Sequence, residues 1–80
     1  MTSQASTTAT ATAAEQGSYH WILTLELPGR AAVTQNGTYT PPAGTTRFDA
    51  YLAIREYVAA GHAELSNGIV SFFSLDSNQL

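Results

Sequence analysis

Tyr19-His20-Trp21-Ile22-Leu23-Thr24-Leu25-Glu26-Leu27 alternates with a period of two: Tyr19, Trp21, Leu23, Leu25 and Leu27 fall on one side, His20, Ile22, Thr24 and Glu26 on the other. Strict alternation over nine residues is the signature of a half-buried strand. An apolar row opposite a mostly polar one belongs to an antiparallel sheet with one wet side. Pro28-Gly29 then punctuates the chain, and the Thr-rich run Ala31 to Tyr39 resumes an extended pattern. The two segments read as a hairpin. Asn36-Gly37 inside the second run predicts a bulge or an early tight turn; Asn36-Gly37-Thr38, formally a glycosylation sequon, reads as turn geometry.

Thr40-Pro41-Pro42-Ala43-Gly44 cannot extend a ladder, because proline lacks the backbone donor and glycine invites a turn. It is the connector to a helix. Thr46 is a candidate N-cap with Asp49 three residues on, the helix runs from Arg47 to about Ala60, and Gly61 is placed to close it in a left-handed cap. On a wheel of about 100° per residue, Ile54, Val58, Tyr51, Phe48 and Leu52 form the apolar arc opposite Asp49 and Glu56. Arg55 falls inside that arc. A charge among core-facing residues predicts either a stem packed on Phe48 or Leu52 with its guanidinium reaching a rim carboxylate such as Glu26 or Asp76, or a grip on a partner.

After the helix, Ala63-Glu64-Leu65 reads as a short extended piece and Asn67-Gly68 as a two-residue hairpin signal. Ile69 to Leu75 is a strand apolar on both sides, with Ile69, Phe73 and Leu75 on one face and Val70 with Phe72 on the other. The fold class is therefore α+β: a small, mostly antiparallel sheet, in the order hairpin, helix, then a strand or a second hairpin, with the helix packed on one face. If Asn67-Gly68 turns the chain, the last strand runs parallel to the first and the strand order is 2-1-4-3. From Tyr19 to Leu75 that element order resembles a minimal β-grasp, the ubiquitin-like architecture. The chain ends Asn78-Gln79-Leu80 without the diglycine of conjugating members, so modifier function does not follow.

Residues 1–17 carry Thr, Ala, Ser and Gln with no large apolar side chain beyond the initial Met, and read as a disordered tail. Residues 18–76 make the single domain and 77–80 a frayed end. Roughly sixty residues form a core near the lower limit for independent stability. There is no cysteine, hence neither disulfide nor thiolate metal site. Three arginines and no lysine face six acids, for a net charge of −3. That balance argues against nucleic acid and against anionic lipid. With no apolar stretch of membrane-spanning length and no cationic leader, a cytoplasmic chain is expected.

No catalytic motif, phosphate-binding glycine loop or metal-ligand spacing is present, so neither cofactor nor metal is expected. Eight aromatics exceed what one thin core hides. Some must reach the surface, where aromatics anchor protein partners. The expected role is a small non-catalytic protein-interaction module, self-associating or adaptor, that uses an open sheet face. Phe72, Val70, Arg55, Tyr57 and Tyr39 are the candidate interaction residues, and a protein partner or homo-oligomer is implied. Two alternatives carry less: a nucleic-acid-contacting regulator using Arg30 and Arg47, and a small enzyme using His20 with Glu26.

Overall fold

The computed structural model describes residues 16–80. Three nine-residue strands, β1 (Tyr19–Leu27), β2 (Ala31–Tyr39) and β3 (Ile69–Ser77), form one sheet in the order β2-β1-β3. Helix α1 (Arg47–Gly61) and the 3-10 turn Ala63–Leu65 connect β2 to β3. The expected α+β class and the ββαβ order are present.

Both ladders are antiparallel, with β1 in the middle. The hairpin closes at Pro28-Gly29, where Gly29 takes φ 76 and Arg30 N donates to Leu27 O at 2.9 Å. Between β2 and the helix, Thr45 N bonds to Pro42 O across a turn that needs the left-handed φ of Gly44. Thr46 caps α1 as read, its hydroxyl accepting from Asp49 N at 3.1 Å.

Trp21, Leu23 and Leu25 of β1 are buried under Ile54 and Val58 of the helix and Leu65 of the 3-10 turn. Val33, Tyr39, Tyr51, Val70, Phe73 and Leu75 pack around them. The buried helical stripe is Ala50, Ile54 and Val58, so the wheel reading is rotated: Phe48 and Leu52, assigned to the arc, stand exposed. Their bulk pulled the apparent centre away from Ala50, whose small side chain lets the helix approach the sheet.

Four local readings are corrected. Gly61 is the last helical residue and His62 the cap, with φ −140, so no left-handed glycine closes the helix. Ala63–Leu65 is a 3-10 turn rather than a strand, and Asn67-Gly68 makes no hairpin. The last strand consequently enters beside Glu26 and runs antiparallel to β1, not parallel as in the β-grasp. Asn36-Gly37 neither bulges nor turns: β2 pairs with β1 in one unbroken register from Ala31 to Tyr39.

The irregularity lies in β3. Leu25 pairs with Val70 but Thr24 with Phe72, which leaves Ser71 as the extra residue of a bulge. The bulge inverts the pleat's parity. Val70 therefore faces the core with Phe73 and Leu75, while Ile69 joins Phe72 on the opposite face, exchanging the sides expected for Val70 and Ile69.

The tail reading for 1–17 lies mostly outside the described residues. Gln16 and Gly17 themselves are engaged: Asn78 Nδ2 donates to Gln16 Oε1 and to Gly17 O, and Gly17 N donates to Thr38 Oγ1. Asn78, expected in a frayed end, also donates its N–H to Ser18 O.

Gly68 is buried, and a Cβ there would lie 2.7 Å from Glu26 O and 3.0 Å from Leu65 O. Gly68→Ala should cost about 1–3 kcal/mol in denaturant unfolding, the range for forced overpacking. Gly61→Ala has open space and a helical backbone, so the same measurement should show no loss or a gain of up to about 1 kcal/mol.

Candidate interaction surfaces

The helix covers one side of the sheet. The other carries His20, Ile22, Thr24 and Glu26 on β1, Ala32, Thr34, Asn36 and Thr38 on β2, and Ile69, Phe72, Ser74 and Asp76 on β3. Among the described residues no element lies over it. Thr24 and Thr34 share a hydrogen bond across the ladder at 2.8 Å, a polar pair that keeps this face compatible with water. Beside them Ile69 and Phe72 are 55% and 52% exposed. Phe72 thus stands where the sequence reading placed it; Val70 does not join it.

A second apolar surface lies between β2 and the helix. A groove of about 410 Å³ is lined by Trp21, Gly37, Tyr39, Ile54 and Tyr57, with Asn36, Thr38 and Ala53 at its margins. Tyr57 stacks edge-on against Trp21, ring centroids 6.2 Å apart, yet is 65% exposed. The groove exists because Gly37 lacks a side chain: a Cβ there would lie 3.1 Å from the indole. The structure thus brings Tyr39 and Tyr57 together, with Trp21 as floor. A glycine inside an otherwise sound strand was the available signal, since such glycines mark close approach of a neighbour.

The third surface flanks β3. Phe48 stacks on Tyr51, Tyr51 and Phe73 pair edge-to-face with ring centroids 5.1 Å apart, and the Arg47 guanidinium lies 5.0 Å from the Phe73 centroid. Arg47 is thereby engaged in a cation–π contact. It sits at the Tyr19 end of the sheet, whereas Arg30 lies in the hairpin turn at the Leu27 end. These cations do not converge.

Arg55 does not reach the rim carboxylates expected of it. Its guanidinium donates to Gly68 O at 2.8 Å and Ser66 O at 3.4 Å, so its partners are main-chain carbonyls rather than Glu26 or Asp76. Arg55 clamps the helix to the segment that launches β3. Leu52, Glu56, Ala59, Ala60 and Ser66 line a shallow surface depression together with Arg55.

His20 and Glu26 share a face but stand six residues apart on one strand, roughly 20 Å at the usual strand rise, which is beyond hydrogen-bonding reach. Among the described residues, no cluster of three or more His, Cys, Asp or Glu is arranged to hold a metal ion, and no helix is long and apolar enough to cross a membrane. No family model, curated protein or solved structure matches the chain.

Arg55→Met removes two charge-assisted bonds to carbonyls and should cost about 1–3 kcal/mol in chemical denaturation. Both bonds come from one terminal nitrogen, Nη2, so the single ammonium of Arg55→Lys should recover part of that loss.

Proposed function

We propose that the protein is a small non-catalytic protein-interaction module, self-associating or adaptor in role. One observation carries the reading: Phe48, Leu52, Tyr57, Ile69 and Phe72 are all substantially exposed, while the buried hydrophobic core among the described residues numbers only seven. A core so small gains little from presenting large apolar groups to water, and their desolvation by a partner is the energetic return. The groups fall on surfaces of different character. Ile69 and Phe72 mark the uncovered sheet face; Tyr57 with Tyr39 and Trp21 marks the groove at the β2 side. Aromatic side chains over an apolar floor, rimmed by Asn36 and Thr38, have the composition of an interface centre with a polar margin.

The test pairs light scattering of the purified chain with affinity co-purification from its source cells. Two surface variants are compared with wild type: Ile69→Asp/Phe72→Asp on the open face and Tyr57→Asp at the groove. At least one should lose a self-complex or a specific partner while melting stays within about 1 kcal/mol of wild type, as expected for surface changes. A monomer whose co-purified proteins are the same in both variants would overturn the reading.

A further inference from the structure

The two edges of the sheet are treated differently by the sequence. Free strand edges template pairing with other chains, and proteins blunt them with charges, prolines or bulges. β3 has its bulge at Ser71 and carries Asp76. β2, Ala31-Ala32-Val33-Thr34-Gln35-Asn36-Gly37-Thr38-Tyr39, has no charge, no proline and no bulge, and holds one register through all nine residues. Among the described residues, none of its main-chain groups makes a backbone hydrogen bond outside the β1 ladder. It is a long, straight, neutral edge.

We propose that this edge pairs with β2 of a second copy, antiparallel about a two-fold axis through Gln35. The proposal rests on the interaction-module reading and names its partner. Gln35 is the middle residue, so a two-fold there pairs every residue of the strand. On the helix side it sets Val33 opposite Gly37 and Ala31 opposite Tyr39, large against small each time. On the open side it sets Thr34 opposite Asn36, which supplies donors and acceptors to both. The notch at Gly37 opens onto the groove of Trp21, Ile54 and Tyr57, and Val33 of the second copy is the side chain placed to enter it. Each chain carries a charge of −3, but none of it lies on the strand that must meet its own copy. The axis is normal to the sheet, so the product is a continuous sheet β3-β1-β2-β2-β1-β3 with both helices on one face. The bulged β3 strands become its only ends.

A charge exchange at the axis tests this on the full 80-residue chain, because Gln35 meets itself and no other residue does. The wild type should be a dimer by light scattering, twice the 8.5 kDa chain mass. Gln35→Lys and Gln35→Glu should each weaken dimerisation roughly fivefold or more, since like charges would face each other directly across the ladder, and an equimolar mixture should restore it as a heterodimer. Mixed-label wild type should show intermolecular NOEs between Val33 and Gly37, a readout that survives if either variant fails to fold. A monomer at concentrations of about 300 µM, or a dimer that lacks those NOEs and is unmoved by both substitutions, overturns the proposal. A monomer that instead captures a foreign protein, lost on Gln35→Lys, also overturns the second copy as occupant while leaving the interaction-module reading standing. If no partner of either kind depends on the surfaces tested, both readings fall.

Discussion

Trp21, Leu23 and Leu25 on one side of β1 are the constraint from which the rest of the structure follows. Among the described residues β1 is the only strand with neighbours on both sides, and Trp21, Leu23 and Leu25 are the only strand residues that are buried. Every other element is positioned to complete that row. α1 covers it with Ile54 and Val58, the 3-10 turn closes one end with Leu65, and the flanking strands supply partly buried side chains around it. With a core of this size, truncation of Leu23 or Leu25 removes a large fraction of the total stability rather than a local increment.

Such a small core cannot hold the crossover from helix to last strand by packing alone, and a polar clamp does part of that work. The chain leaves α1 at Gly61, turns through Ala63–Leu65 and must enter the sheet beside Glu26 within a few residues. Arg55 binds the carbonyls of Ser66 and Gly68 from the helix side, while Gly68 fits against the Glu26 backbone where no Cβ is tolerated. The two residues act on one segment. At the opposite end of the sheet, Asn78 ties the last strand to Gln16, Gly17 and Ser18. Both ends of β3 are therefore fixed to the rest of the fold by hydrogen bonds.

The alternation of β1, the first turn and the helix N-cap were legible because each is local. The hairpin at Pro28-Gly29, the Thr46 cap and the extent of α1 follow from residues adjacent in sequence. What could not be read locally involves atoms distant along the chain. Gly37 is glycine because of the Trp21 indole and Gly68 because of the Glu26 carbonyl, so both resembled turn signals. The Ser71 bulge carries no marker of its own, yet it exchanges Val70 for Ile69 between core and surface. Arg55 looked misplaced only because the buried arc was centred too near Phe48 and Leu52; on the observed helix it lies at the margin, within reach of free carbonyls. Of the candidate surface, Phe72, Tyr57 and Tyr39 were legible as excess aromatics, whereas their division between two surfaces depends on register and on Gly37.

A three-stranded sheet with one helix must leave one face and two edges for something else to satisfy, and this chain addresses them unequally. The open face is made tolerable to water by Thr24, Thr34, Ser74 and their neighbours, leaving Ile69 and Phe72 as an apolar island. The β3 edge is bent by its bulge and flanked on the helix side by Phe73, Tyr51 and Arg47. No such device appears on β2, although an acidic or basic residue at any of its outward positions would have cost the fold little. An edge left flat and neutral is a hazard when it stays solvent-exposed and an asset when it is paired. The groove beside Gly37 adds a side-chain receptor to that backbone template, so the edge offers hydrogen bonds for affinity and a shaped apolar site for register on the same strand.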